Sequence, residues 1–566
     1  MPRFETDVVI IGGGATGTSI LRDCALRGIN AILLEQDDLA SGTTGRNHGL
    51  LHSGARYAVT DAHSAVECIQ ENKILKTIAR HCVEETDGLY LTLPEDDINF
   101  QSTFIDACRK SGISAQRLTR EEALRFEPNA NPTLLGAVRV PDGTLDPFRL
   151  CASNILDAKE LGGKVFTHTR VTGLIREQNR VVGVKCYNMH QRQSFEIYAQ
   201  QVINAAGIWG QGIAEYADLK IKMFPAKGSL LILDYRINNV VLNRCRPPAD
   251  ADILVPGDTI SLIGTTSQHI DISEINDLHV TSDEVDTLLE EGTKLAPIMA
   301  NSRILRAYAG VRPLVAVDDD GSGRNISRGI VLLDHQERDG LEGFVTITGG
   351  KLMTCRLMAE MATDMVAKKL GNTTPCETHT RLLPGAAKAP KQSKKTASLA
   401  KPVYESAVYR HGERALQFMD GSKASETIIC ECEMVTAGEI QYAIQSLDVH
   451  NLVDLRRRTR LGMGPCQGEL CAYRAASLFT QYTDTNAANL LVDFLEERWK
   501  GAKPILWGDA LRESEYSYWI YETLMGGGEI PAAPIHTQEL EPTATTDHTH
   551  GCCNKSATQE NANAEL

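Results

Sequence analysis

The start of the chain places the strongest constraint on its fold. A short apolar run, Asp7 to Ile11, breaks into Gly12-Gly13-Gly14-Ala15-Thr16-Gly17, a helix-like segment continues to Arg27, and a second apolar run covers Ala31 to Leu34. Two strand-length runs flanking a helical period make a βαβ unit and call for a parallel sheet. Gly12, Gly14 and Gly17 occupy the three positions of G-x-G-x-x-G. The first permits a tight turn, the second lets a pyrophosphate approach the backbone, and the third lets the helix sit close to the sheet. The free N–H groups of that helix, from Ala15 and Thr16 onward, form a positive end that receives phosphate. Glu35 closes the second strand, where a carboxylate can bind both ribose hydroxyls of an adenosine and repels a 2′-phosphate.

Three further segments favour FAD over a nicotinamide dinucleotide. Ser41-Gly42-Thr43-Thr44 is a run of small residues suited to lie against a flavin. Ile203-Asn204-Ala205-Ala206-Gly207 reads as a strand-end turn near the dinucleotide, and Thr348-Gly349-Gly350-Lys351 leads into an apolar helix as a third contact. Packing alone does not explain three dispersed glycine turns.

At 566 residues the chain exceeds one ordinary core, so several domains are expected. Its net charge of -15 and the lack of a basic stripe argue against nucleic acid. No apolar run reaches the roughly 18 residues of a spanning helix, and the N-terminus lacks a signal-peptide layout, so direct transmembrane insertion is not expected. The expected fold class is α/β. A Rossmann-type FAD-binding domain is interleaved with a mixed-sheet substrate domain, and a small α-helical, cysteine-bearing domain follows near the C-terminus. The alternating runs Val165 to His168, Arg170 to Ile175, Val181 to Cys186 and Gln201 to Asn204 are assigned to the inserted sheet.

The expected boundaries are 1–384 for the flavin and substrate domains and 385–425 for a linker in which Lys388, Lys391, Lys394, Lys395 and Lys401 crowd together. The cysteine domain spans 426–478, a helical extension 479–526, and a disordered tail 527–566. His548, His550, Cys552 and Cys553 in the tail are read as adventitious metal binders. The aromatic cluster Tyr516, Tyr518, Trp519 and Tyr521 is read as core packing rather than a docking site.

Cys430 and Cys432 form one close pair of thiols, and Cys466 and Cys471 a second. Two such pairs supply the four ligands of a [2Fe–2S] cluster or of tetrahedral zinc, and spacing alone leaves zinc as the alternative. Gly462, Gly464 and Pro465 before the second pair suit a tight loop whose N–H groups face sulfur. Cys24, Cys151, Cys186 and Cys355 read as buried small hydrophobes.

His52-Ser53-Gly54-Ala55-Arg56-Tyr57, Tyr308 to Leu314 and Gly349-Gly350-Lys351-Leu352-Met353-Thr354 resemble segments of the FAD-dependent glycerol-3-phosphate dehydrogenase family, with coverage from about Thr6 to Met365. The resemblance implies a glycerol 3-phosphate site in which Arg56, Arg312, Arg328 and Lys351 hold the phosphate, with Tyr57 and Thr354 beside them. Guanidinium forks give bidentate bonds to phosphate oxygens, and lysine adds a point charge. The family's aerobic members carry a histidine after the match to Lys227-Gly228-Ser229, where this chain has Leu230. The proton acceptor is therefore assigned to His52, with His269 as an alternative. Arg312 and Lys351 join His52 in the catalytic set. A non-covalent flavin is the default, although His48 and His52 could invite covalent attachment.

Glu433 to Ile440 and Arg460 to Cys466 resemble the bacterioferritin-associated-ferredoxin type of [2Fe–2S] domain. A flavin and a one-electron cluster on one chain suit the conversion of a hydride into single electrons. The combination is similar to the large subunits of the anaerobic, quinone-linked members of the family. It implies a second flavoprotein subunit (B), an iron–sulfur membrane-anchoring subunit (C), and a peripheral place on the cytoplasmic face of the bacterial inner membrane. Two rival readings are a flavin oxidoreductase acting on a 2-hydroxy or amino acid, and a non-catalytic electron-transfer subunit. The excess of candidate cations favours phosphate over a carboxylate substrate.

Overall fold

The computed structural model describes residues 2–316, 326–327, 329–388, 391–393, 396, 398–520 and 523. Arg328, Lys394, Lys395, Tyr521 and the tail from 527 lie outside the described residues.

The first strand, β1 (Arg3–Ile11), pairs in parallel with β2 (Ala31–Leu34), and the helix between them, α1 (Ala15–Leu26), packs onto the sheet. Four-residue β2 is wholly buried, as expected of a central parallel strand covered on both faces. Gly17 makes the close approach possible, since a Cβ there would stand 1.9 Å from the carbonyl oxygen of Gly12. On the other side of β1 lies Gln193–Asn204, followed by an antiparallel meander through Arg180–Asn188 and Thr169–Glu177. Lys164–Phe166 extends the sheet beyond β2, and Phe344–Gly349 pairs in parallel with the end of Gln193–Asn204.

The alternating runs between 165 and 204, assigned above to an inserted sheet, therefore belong to the nucleotide sheet itself. Alternation reports one solvated face but not the neighbouring strand, which is why the two assignments differ. The second, mixed sheet has ten strands and is built from Gly88–Thr92, Gln116–Leu118, Gly136–Val140 and the segments between Met223 and Ser327. Its longest pairing, Met223–Leu233 against Ile304–Ala316, lays Ala226 opposite Arg312 and Gly228 opposite Gly310. The fold is the α/β architecture with an interleaved second sheet.

The C-terminal unit is helical around a short hairpin, Ile428–Cys430 with Val435–Thr436. Residues 401–425, expected to be linker, contain the helix Lys401–His411 and most of the helix Lys423–Glu426. Val403, Tyr404 and Ala407 form a buried stripe that joins the core of this unit. Lysine-rich surroundings mask that stripe in composition, although its i, i+4 spacing is helical.

Buried ion pairs seat the unit on the flavin-side domains. Arg458 and Arg457 bind Asp38 at 2.5 and 3.0 Å, Arg460 binds Asp258 at 2.5 Å, and His168 meets Asp454 at 3.1 Å. The helix Gly508–Trp519 differs from expectation. Tyr516, Tyr518 and Trp519 are exposed and only Ser517 is buried, so these aromatics do not pack a core. Among the described residues no helix is long and apolar enough to cross a membrane.

Candidate active site and cysteine centre

A cavity of about 460 Å³ opens where β1, α1 and β2 meet the second sheet. Of the dinucleotide candidates, Gly12, Gly14, Ala15, Thr16, Glu35, Ser41, Gly42, Thr43, Thr44, Ala206, Gly207, Gly349, Gly350 and Lys351 all line it. Gly17 does not, because its place is the helix–sheet contact. Gly12 has φ +113, and a Cβ there would lie 2.6 Å from the Ala205 carbonyl oxygen, so only glycine closes this turn. Gly14 caps α1 without a side-chain bond, and no acidic residue occupies the first turn. The helix end is thus left to an anion, which fits a pyrophosphate.

Glu35 accepts from the Gly13 N–H at 2.6 Å and from the Asp37 N–H at 2.9 Å. Burial, with help from the Asp37 and Asp38 charges, pushes its carboxyl up to about 7. Ribose hydroxyls donate to the carboxylate rather than the acid, so FAD binding below pH 7 must release a proton. The affinity of the FAD-free chain should therefore climb by up to about tenfold per pH unit between roughly pH 5 and 7 and level off above. The stability that Glu35 lends the FAD-free chain runs the other way, present at acid pH and lost as pH rises through about 7. Fluorescence titration of FAD across this range checks the first trend. Glu35→Gln should weaken binding above pH 7 and flatten the profile.

The substrate candidates divide. Arg312, Lys351, Tyr57 and His52 line the same cavity as the dinucleotide residues. Among the described residues, four neutral acceptors orient the Arg312 guanidinium. They are the Thr265 hydroxyl, the Thr266 carbonyl at 3.1 Å, and the Lys227 carbonyl and Ser267 hydroxyl at 3.5 Å. Gly228 is needed beneath it, since a Cβ there would come within 2.8 Å of Nη2. The Lys351 ammonium stands over the Tyr57 ring at 4.7 Å.

Arg56 is directed elsewhere, to the Ala249 carbonyl at 3.0 Å and Asp252 at 3.5 Å, and is not part of the lining. Thr354 is buried beneath the cavity, where its hydroxyl accepts from the Lys351 N–H at 2.9 Å and donates to the Lys351 carbonyl. It fixes the turn that carries Lys351 instead of reaching the cavity. Arg328 lies outside the described residues.

His52 is buried in the wall, its ring 5.5 Å from Tyr57 and 6.0 Å from His48. His48 also lines the cavity. Burial, reinforced by Arg312 and Arg56, lowers it to about 3. Its Nδ1 accepts from the Leu50 N–H at 3.1 Å, so the neutral ring carries its proton on Nε2 and is a donor. His269 is exposed on a strand edge outside the lining, and Leu230 is packed against Gly264.

Arg46, Trp209 and Asn276 line the cavity although the sequence reading passed over them. The Trp209 Nε1 donates to Asn276 at 2.7 Å, and the Trp209 ring lies where a Gly42 side chain would be. Trp209's position two residues after the Ala206-Gly207 turn was the available signal.

In the C-terminal unit the four thiols face one another two by two. Cys471 lies beside Cys430 and lowers it, itself rising in turn, while Cys466 lies beside Cys432. The Gly462 N–H is directed at the sulfurs of both Cys430 and Cys471. Gly464 lies so near Cys432 that a Cβ would meet that residue's Cβ at 2.4 Å. Thiols facing in two pairs and backed by N–H donors suit a two-iron group, in which each iron takes two thiolates. Among the described residues no three His, Cys, Asp or Glu side chains gather to hold a single ion. All thirteen described cysteines are free, and Cys24, Cys151, Cys186 and Cys355 are buried.

Two family models match the chain, one over each part. Residues 7–365 match the FAD dependent oxidoreductase family and residues 428–481 the BFD-like [2Fe-2S] binding domain. The A-subunit of the anaerobic glycerol-3-phosphate dehydrogenase of Escherichia coli K12 is 63% identical over 526 residues, covering 92% of this chain and 97% of the relative. The chain belongs to the A-subunit family of anaerobic glycerol-3-phosphate dehydrogenases. The Haemophilus influenzae member is 58% identical across 97% of this chain and 98% of its own length. The glycerol-3-phosphate dehydrogenase of Bacillus halodurans, solved with FAD, shares the fold at a TM-score of 0.64 and 21% identity, covering 89% of this chain and 96% of that one. This member of the A-subunit family thus carries an FAD-dependent oxidoreductase domain and a [2Fe–2S] domain, which fit a path from flavin to cluster.

Proposed function

We propose that the chain oxidises sn-glycerol 3-phosphate to dihydroxyacetone phosphate and passes the electrons through its iron–sulfur centre and partner subunits to a membrane quinone. The observation that carries this reading is one cavity lined both by the dinucleotide turn with Glu35 and by Arg312, Lys351, Tyr57 and His52. Bound FAD supplies the hydride acceptor there. Arg312 and Lys351 bind the phosphate, Tyr57 supports the Lys351 ammonium, and Thr354 holds the Lys351 turn. His52 takes the hydroxyl proton, and the neutral His48 donates from Nε2. Residues 1–384 perform the oxidation, and Cys430, Cys432, Cys466 and Cys471 within 426–478 hold the cluster.

The relatives' designation as A-subunits supports further subunits, which we assign as a second flavoprotein and an iron–sulfur membrane anchor. The chain then sits peripherally at the cytoplasmic face of the bacterial inner membrane, with its attachment supplied by the anchor. Anaerobic mixing of the holoprotein with glycerol 3-phosphate tests the catalytic claim. Rapid bleaching of the flavin absorbance with one dihydroxyacetone phosphate formed per flavin is expected. An unchanged spectrum would mean that the chain carries electrons but leaves the substrate to a partner.

A further inference from the structure

We infer that Glu284 is a positioning residue for Arg312 and thereby sets the affinity for the phosphate group of the substrate. The inference rests on Arg312 being a phosphate ligand, as proposed above. Glu284 is the third residue of the helix Ser282–Leu295, and with Thr281 it forms a capping box. A capping box needs one carboxylate oxygen on the N-cap N–H, and such glutamates ordinarily face water. Here the Thr281 N–H does donate to Oε2 at 3.0 Å, but the residue is only 8% exposed and its carboxylate makes four further bonds, one of them from the Thr281 hydroxyl to Oε2 at 3.3 Å. Oε2 also accepts from Lys227 Nζ at 2.9 Å, while Oε1 accepts from the Ser229 hydroxyl at 2.8 Å and the Thr266 hydroxyl at 2.9 Å. Burial raises such a carboxyl, yet the bonds from Thr281, Lys227, Ser229 and Thr266 outweigh it and hold Glu284 below the usual glutamate range.

Those partners are the frame around Arg312. Lys227 and Thr266 lend it their carbonyls, and Thr265 and Ser267, on either side of Thr266, lend it their hydroxyls. Thr266 also ties the turn to the strand, since its hydroxyl accepts from the Ser229 N–H at 3.0 Å. One carboxylate thus joins the strand Met223–Leu233, the turn 265–267 and the helix that starts at 282. It also neutralises the Lys227 ammonium, which is buried. A guanidinium held at a fixed angle meets a phosphate with less ordering cost, so the gain appears in binding.

The test uses the FAD-loaded full-length chain and steady-state oxidation of glycerol 3-phosphate with an artificial dye as acceptor. Glu284→Gln should raise KM roughly tenfold and change kcat by less than about twofold, with flavin content retained. Arg312→Lys should raise KM by itself, and the double variant should be no worse than Arg312→Lys, because both act through one guanidinium. Thr266→Val, which keeps the Lys227–Glu284 pair and cuts the hydroxyl link, guards against misfolding and should raise KM about threefold. A raised KM in Arg312→Lys with unaltered KM in Glu284→Gln and Thr266→Val overturns the inference alone, as would losses that multiply in the double variant. An unaltered KM in Arg312→Lys overturns the substrate reading and this inference with it.

Discussion

Arg312→Ala is expected to lower kcat/KM for glycerol 3-phosphate by about a hundred- to a thousandfold, mostly through KM, and to leave the flavin bound. The magnitude follows from losing two charge-assisted bonds to a phosphate in a partly buried site, together about 3–4 kcal/mol. Selectivity for KM follows from geometry. Arg312 projects from the strand Ile304–Ala316 of the second sheet, whereas the glycine turn and Glu35 belong to β1, α1 and β2. Lys351→Ala should give a smaller loss, since an ammonium makes a point contact where guanidinium makes a fork. Steady-state kinetics and the visible flavin spectrum of each variant check both halves of this result.

Cys466→Ser separates the two redox steps. Cys466 is paired with Cys432, and removing one thiolate of the pair takes a ligand from one iron while the Cys430–Cys471 pair keeps its own. Quinone-linked turnover should fall by more than about a hundredfold, since loss of a direct ligand exceeds the 10- to 100-fold cost typical of outer-shell changes. Bleaching of the flavin by glycerol 3-phosphate should continue at the parental rate, because the substrate cavity contains none of these cysteines. Iron and acid-labile sulfide analysis alongside anaerobic stopped-flow spectroscopy reads both effects. A slowed bleaching step would place the cluster loop in the flavin's environment.

The parts of the molecule legible in sequence are those whose chemistry is local. Gly12 and Gly14 share one turn, Gly17 lies in the first turn of the helix that follows, and Glu35 comes at the end of the next strand, so spacing alone reports a site that the fold assembles from contiguous chain. The cysteine pairs are similar, because Cys430 and Cys432 occupy one hairpin and Cys466 and Cys471 one loop. Arg56 shows where such reading ends. It stands in a motif with Tyr57, yet its guanidinium turns to Asp252, a residue 196 positions away that no spacing rule connects to it. Thr354 was a candidate contact and is instead the hydrogen-bonded support of Lys351.

The two sheets show the same limit at larger scale. Periodicity identifies strands between 165 and 204, but their membership of the nucleotide sheet depends on pairing with β1, which hydrophobic alternation does not encode. The helix Lys401–His411 was hidden by its lysine-rich surroundings, and the aromatics of Gly508–Trp519 were hidden by the opposite rule, that large apolar side chains usually lie inside. Glu284 is legible as a helix cap and nothing more until Ser229 and Thr266 are brought to its second oxygen.

Asp38 follows Glu35 by three residues and is clasped by Arg457 and Arg458 from the cysteine-bearing unit. The two redox halves are therefore not beads on a string that can be exchanged at will. A chimera that joins this front half to a foreign electron-exit module must import both guanidiniums along with it. Without them the graft entombs a solitary carboxylate at the seam, at a cost of about 3–5 kcal/mol, enough to undo much of the stability an ordinary domain possesses.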